Sequence, residues 1–351
     1  MLRPHRTVAL SVVLLLLTGC GAGVHRATKA LNPAKKVAAR KSPAPAAQVT
    51  GANELGVIPV FEYHTIGASP GRWQTTPSML TADLTWLYDH NFRLITMRDL
   101  ESGRIDIPAG THPAVLTFDD GSASQFQWNS QDIPLPTSSV GVLEAFQAAH
   151  PDWPVTATFY LNKYPFGADS AAKMRWLVAH GFELGNHTYD HADLNQLRAA
   201  GILKEVGEEQ AYIEAVVPGY VPVSFALPYG ALPQNAADRK AVLDGSYDGT
   251  TWHFIGVVLV GATPAPSPFS KAWGIEIPRV QEVDPSLVGA STFPFIMAGV
   301  EQAFTKNPSG FYTSDGNPAR ITFPAAEASQ LNAEYAPKAN PLPATSAAGG
   351  T

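Results

Sequence analysis

Cysteine is almost missing from this chain: 351 residues contain one, Cys20. A single thiol excludes intramolecular disulfides and any zinc site built from several cysteines. Charge is sparse too, at 15% of residues, and unevenly spread. The first fifty residues hold no acid, and their eight basic residues leave 16 of the 24 Lys and Arg against all 30 Asp and Glu beyond them. That acidic body lacks the basic face a nucleic-acid partner requires, so none is expected. No apolar run approaches the roughly 20 residues of a membrane-crossing helix. The longest, Val8 to Leu17, is interrupted by Ser11. Internal repeats and a glycine-rich phosphate loop are also absent, which argues against solenoids and nucleotide-dependent enzymes. What remains, 45% hydrophobic and 10% aromatic, is the composition of a globular protein with a sizeable core.

Arg3 and Arg6 precede the Val8 to Leu17 run, and Thr18, Gly19 and Cys20 close it. A basic start, about ten apolar residues and a small-residue end read as a secretory signal peptide over residues 1–19. Leu17-Thr18-Gly19-Cys20 resembles the bacterial lipobox, in which the peptide is cut before the cysteine and the thiol is acylated. The resemblance implies an extracytoplasmic lipoprotein held to a membrane through Cys20, or a secreted protein where the lipobox is not used. Residues 20–56, rich in Ala, Pro, Lys and Arg, read as a flexible lipid-anchored linker. The folded part is expected over residues 57–324. Residues 325–351, rich in small residues and proline, are expected to fray as a disordered tail.

From about residue 57 the chain alternates. Val57 to Phe61, Phe92 to Met97, Ala114 to Phe118, Thr156 to Leu161, Phe182 to Gly185, Val223 to Leu227 and Ile255 to Val260 read as strands. Between them, Thr76-Pro77 opens a helical stretch as cap and first position. Val140 to Ala149 and Ala171 to His180 are two more, the second stopping at Gly181. Such alternation predicts a parallel sheet with helices outside it, open or closed as a barrel, and reactive groups where strands end.

Polar residues do collect there. Asp119-Asp120-Gly121 follows an apolar strand; adjacent carboxylates at a strand exit point in different directions, so they can take different roles. Taken alone the triplet is as readily a polar turn. His187 and His191, at i and i+4, share one face of a helical turn, so both rings can reach one ion. Thr188 follows the first of them where the zinc-protease signature has Glu. Two imidazoles and one carboxylate would make three ligands and leave a position open for water. Phe225 to Gly230 is a strand running into a Pro/Gly turn with Tyr229 at its mouth.

Together these elements resemble the polysaccharide deacetylase family, carbohydrate esterase family 4. The resemblance rests on Thr117-Phe118-Asp119-Asp120-Gly121, Gly185-Asn186-His187-Thr188-Tyr189-Asp190-His191 and Leu227-Pro228-Tyr229-Gly230, in the family's order. It covers roughly residues 57–285. It implies a fold of α/β class, a distorted (β/α)7 barrel, and the removal of N- or O-acetyl groups from glycans. Residue by residue, it implies Asp120, His187 and His191 as metal ligands and Asp119 as general base. The backbone N–H of Tyr229 would steady the oxyanion, and Pro228 would line the substrate site. The expected cofactor is a divalent metal, Zn2+ first, with Co2+ or Ni2+ fitting the same donors.

Two departures from the family stand out. Ala226 occupies the position where many members carry an arginine that orients the base. Arg279, in Ile277-Pro278-Arg279, is a candidate replacement on the substrate side, or else part of a structural ion pair. No histidine follows His253, so the family's late Leu-x-His acid is absent. A subgroup acting on poly-N-acetylglucosamine places its acid histidine in an early Tyr-His motif, which Phe61-Glu62-Tyr63-His64-Thr65 resembles. An unperturbed imidazole, with a pKa of about 6.5, suits that task, so His64 is the expected general acid and His253 the runner-up. Trp128 and Trp153, in the long segment from Ser122 to Pro154, are candidates for stacking on a glycan or for ordinary packing. The expected function is metal-dependent hydrolysis of acetyl groups from an N-acetylated polysaccharide, an exopolysaccharide or cell-wall glycan. The alternatives are an O-acetyl esterase acting on xylan-like glycans and a catalytically inactive glycan-binding lipoprotein.

Overall fold

The computed structural model describes residues 51–343. The signal peptide, Cys20 and most of the expected linker lie outside the described residues, as does the end of the tail. No helix among the described residues is long and apolar enough to cross a membrane.

Nine strands form one sheet in which every pair is parallel. In space they run Glu276–Ile277, Val257–Val258, Phe225–Ala226, Glu183–Asn186, Thr158–Leu161, His112–Phe118, Val60–Tyr63 and Val280–Gln281. Phe92–Leu94 pairs with the start of His112–Phe118. The two outermost strands are consecutive in the chain, with Pro278 and Arg279 between them. The stretch 276–281 therefore pairs with Val257–Val258 through its first half and with Val60–Tyr63 through its second. The sheet curls until its ends meet in that stretch. Counted as one stave, it completes the distorted (β/α)7 barrel expected from the sequence.

Strand alternation sorts the core into two layers. Phe61, Phe118 and Phe159 face outward and pack with Leu84, Leu143 and Met174. These belong to helices α1 (Pro77–Asp89), α3 (Ser139–Ala149) and α4 (Ser170–Ala179), the short α2 (Met97–Glu101) following Phe92–Leu94. Thr76 caps α1 by accepting from the Met79 N–H, with Pro77 at the first position, as the sequence predicts. Val60, Val115, Tyr160, Ala226 and Val258 face into the ring. Successive inward positions two residues further on are Glu62 and Thr117, and then His64 and Asp119. The inward rows thus turn from apolar to polar toward the C-terminal ends of the staves, the end of a parallel barrel where chemistry is placed.

Both expected boundaries shift. The folded part starts before residue 57: Ala52 and Leu55 are buried, and the Glu54 carboxylate accepts N–H groups of Asp315 and Thr322 at 3.2 and 2.8 Å. Nor does the tail fray from residue 325. Ala339–Leu342 pairs in parallel with Ile321–Pro324, and Tyr335 packs edge-on against Phe269 at 5.2 Å. The segment is ordered by backbone pairing, a property its small-residue composition does not advertise.

Several acids are buried, and two, Glu101 and Glu209, lack a hydrogen-bond partner on either carboxylate oxygen. Glu209, on α5 (Ala199–Val216), is wholly buried, and neither carboxylate oxygen has a hydrogen-bond partner. Burial, with Glu205 nearby, pushes its carboxyl well above the ordinary range. The folded chain then holds a proton that the unfolded chain releases above a pH of about 4.5, so this group lowers stability as pH rises past that value. Glu209→Met is expected to be more stable than the wild type by about 1–3 kcal/mol at pH 8, and by less at pH 5. Thermal denaturation at the two pH values checks this; an equal gain at both would show that Glu209 does not titrate.

Candidate active site

Asp119 and Asp120 leave the strand His112–Phe118 in opposite senses. Asp119 points into the ring and is buried. Asp120 takes a left-handed φ of 73° and turns toward the histidines. Gly121 follows because the turn has no room for a side chain: a Cβ there would meet Pro165 Cβ at 2.5 Å. Thr188, His191 and Tyr229 also have φ between 53° and 64°, a region that costs a non-glycine residue of order 1–3 kcal/mol. Six other non-glycine residues among the described ones share such a φ, so these four belong to a wider use of tight turns.

Asp120 Oδ1 lies 3.5 Å from His187 Nε2 and 3.4 Å from His191 Nε2. Donors about 2.1 Å from a tetrahedral ion sit roughly 3.4 Å apart, so this triad fits a divalent metal. The orientation of the rings agrees. His187 Nδ1 is 2.8 Å from the Ala226 carbonyl, to which it can only donate, leaving the Nε2 lone pair facing Asp120. His191 Nδ1 is 3.2 Å from the Tyr229 hydroxyl. Two imidazoles with one carboxylate are a donor set suited to Zn2+.

Asp119 stands outside this triad, in the grip of Arg279. Two parallel N–H···O bonds of 2.7 Å join the guanidinium to the two carboxylate oxygens. Arg279 also donates to the Leu259 carbonyl at 2.6 Å and to Thr117 Oγ1 at 3.0 Å. Burial works to raise the Asp119 carboxyl, but the Arg279 charge and hydrogen bonds outweigh it and hold the group well below the usual carboxylate range. A buried carboxylate that stays ionised, outside the Asp120 triad, is thereby assembled.

The arginine expected on the substrate side is therefore wholly buried. It reaches the base from the closing stave, where the sequence left an ordinary ion pair as an equal alternative.

On the other flank of Arg279 lies Glu62, which sequence reasoning passed over. It is fully buried. Its Oε1 is 3.4 Å from Arg279 Nη2 and 3.8 Å from His64 Nε2, and its Oε2 accepts the Gly261 N–H at 2.9 Å. Burial raises its carboxyl, and Arg279 only partly offsets the shift. Glu62, His64 and Asp119 cluster as closely as the triad does, but the arginine among them supplies the positive charge that a cation would. The signal for Glu62 was its place in the inward alternation Val60, Glu62, His64.

The remaining sequence candidates divide. His64 is in the cluster, its ring tilted against Trp73 and its carbonyl accepting from Gln125 at 2.8 Å. Pro228 is buried in the turn behind the exposed Tyr229. His253 is elsewhere: it is exposed on an outer hairpin, 3.7 Å from Asp244. Trp153 is a core residue, fully buried with its indole N–H donating to the Phe92 carbonyl at 2.7 Å. Trp128 packs edge-on against Phe126 at 5.3 Å and sits beside Lys173. Neither tryptophan is joined to the cluster by any of these contacts.

Comparison with known proteins agrees with this geometry. The polysaccharide deacetylase family model matches residues 106–244, a segment that includes both aspartates, both histidines and Tyr229 but neither His64 nor Arg279. The chain is 30% identical over 154 residues to a chitooligosaccharide deacetylase of Bradyrhizobium sp. (strain ANU 289), covering 42% of this chain and 63% of that protein. It is 28% identical over 144 residues to a chitin deacetylase of Pestalotiopsis sp, covering 38% and 42%. The structure of IcaB from Ammonifex degensii aligns over 70% of this chain and 97% of that one, with 20% identity and a TM-score of 0.48. The matches span from 21% to 63% of the length of the first curated relatives.

Proposed function

We propose that this chain, whose residues 106–244 match the polysaccharide deacetylase family model, is a metal-dependent hydrolase removing acetyl groups from an N-acetylated polysaccharide, an exopolysaccharide or cell-wall glycan. The observation that carries this reading is the Arg279 clamp on Asp119. A protein that merely bound glycan would have no use for an ionised carboxylate kept free beside a three-donor triad.

Asp120, His187 and His191 would hold the ion, which when bound supplies Lewis acidity to a carbonyl and makes water more acidic. Asp119 takes the proton of the attacking water; its low pKa keeps it ready at neutral pH. The Tyr229 backbone N–H is the candidate donor to the oxyanion that develops on the acetyl oxygen. His64, across Arg279 from the base, gives its proton to the departing nitrogen, so that acetate and a free amine result. Lipidation at Cys20 and a membrane-held, extracytoplasmic location complete the proposal.

The test is acetate release by the full chain after metal removal and after reloading with Zn2+, on N-acetylglucosamine oligomers and on acetylated xylan. Release from the oligomers that disappears on stripping and returns with the ion is expected. Release from xylan alone would move the substrate to esters, and retention of glycan without any release would leave a binding protein.

A further inference from the structure

The tryptophans named from the sequence for glycan stacking are engaged elsewhere, yet an exposed indole does stand at the site. Trp73 is 41% exposed, and its ring centre is 4.7 Å from that of His64, at a tilt of 53°. Through His64 it adjoins the cluster of Glu62 and Asp119.

Exposure of one apolar side chain says little by itself. What distinguishes Trp73 is how firmly its loop is fixed. Its carbonyl accepts from both the N–H and the Oγ1 of Thr65, at 3.1 and 2.8 Å. The preceding Arg72 carbonyl accepts from the buried Gln281 at 3.0 Å. Gly71 and Gln74 exchange a pair of backbone bonds at 2.8 and 3.2 Å, and Thr65–Ile66 pairs with Gln74–Thr75. The Arg72 guanidinium sits 5.2 Å from the indole centre, a cation–π contact that steadies the ring. Gln281 lies on the same closing stave as Arg279, so the indole and the base clamp share one support. An aromatic ring held in place before binding loses little entropy when a ligand covers it.

The position of Trp73 relative to the triad gives it a direction. Tyr229, 66% exposed, flanks His191 at 4.7 Å on the metal side, and Trp73 flanks His64 on the other. Resting on the deacetylase reading, an acetamido group bound between the triad and His64 would have the exposed indole beside it on the His64 flank.

We infer that Trp73 is a glycan-binding residue that stacks against the sugar adjoining the scissile acetamido group. Its substrate class is accordingly an N-acetylated oligomer or polymer of hexosamine; a single sugar leaves the indole uncovered. A flat apolar body beside polar groups suits the C–H face of a pyranose ring.

The experiment compares the Zn2+-loaded full chain with Trp73→Ala and Trp73→Phe on N-acetylglucosamine and on its pentasaccharide. In the wild type, kcat/KM should be at least about tenfold higher for the pentasaccharide, equivalent to ~1.4 kcal/mol. Trp73→Ala should raise KM for the pentasaccharide about tenfold while leaving kcat within about twofold, and Trp73→Phe should recover most of the loss. A fall in kcat of equal size on both substrates, with KM unchanged, would reduce Trp73 to a cover for His64 and overturn the inference. Pentasaccharide binding to each protein, followed by calorimetry, separates this failure from that of the function. No acetate from the wild type would reject the deacetylase reading, and equal pentasaccharide affinity in wild type and Trp73→Ala would reject the stacking role.

Discussion

Asp119→Asn is expected to lower acetate release by about 10²–10⁴-fold, the range associated with a positioned general base, while metal content stays at the wild-type level. The two halves of this result come from different parts of the geometry. Asparagine fills the same volume but cannot accept the water proton at neutral pH. Metal is retained because the triad of Asp120, His187 and His191 does not include Asp119. The side effect is also foreseeable: one amide N–H2 must face the Arg279 guanidinium where a carboxylate oxygen stood at 2.7 Å, so some stability is lost. Acetate assays combined with metal analysis of the same preparation separate these effects. Activity within about tenfold of wild type would remove Asp119 from the role of base, and loss of the ion would place it among the ligands.

The second large effect belongs to Arg279→Met. This guanidinium is wholly buried, and it is the shared counter-charge of two buried carboxylates, Asp119 and Glu62. Removing one partner of a buried pair costs about 3–5 kcal/mol, because the other charge stays behind without compensation. Here two are left. The variant should lose at least that much in urea denaturation, and Asp119, relieved of the arginine that depresses its pKa, should no longer be reliably ionised. Combining Arg279→Met with Glu62→Gln should recover part of the stability, since a buried carboxyl without its partner is gone, but should not recover the activity. Strictly additive losses in this cycle would show that Glu62 and Arg279 are not coupled.

The parts of this molecule that were legible in the sequence are those in which chemistry follows a strand directly. Asp119 and Asp120, the two histidines and Tyr229 each leave a recognisable apolar run, so their common location at one end of the barrel was readable. Arg279 was readable only as a candidate. Its pairing with Asp119 spans 160 positions and exists only because the last stave returns to the first. Glu62 was missed because a carboxylate within a strand ordinarily signals a solvent-facing side. In a closed ring, both faces of the strand are interior.

Helix α5 escaped for a comparable reason. Its buried side includes Gly207, Glu209 and Gln210 alongside Ile202, Val206 and Ile213, which dilutes the apolar stripe that would announce a helix. Gly207 is there to admit Tyr247, whose Cβ would lie 2.5 Å from an added methyl. Indole burial was equally hidden: nothing in the composition separates Trp153, in the core, from Trp73, on the surface.

The closing stretch 276–281 has a consequence for the chain as it is made. Synthesis delivers Asp119, Asp120, His187 and His191 well before residue 279, so the Asp119 carboxylate stays unclamped until the last stave is made. Only when the final stave docks between Val257–Val258 and Val60–Tyr63 does Arg279 reach Asp119. On the proposed function, activity would depend on closure of the ring. A fragment cut at residue 244, where the family match ends, would keep the metal-binding motifs and remain inert. On that same reading, the smallest working unit would run at least from Glu62 to Arg279.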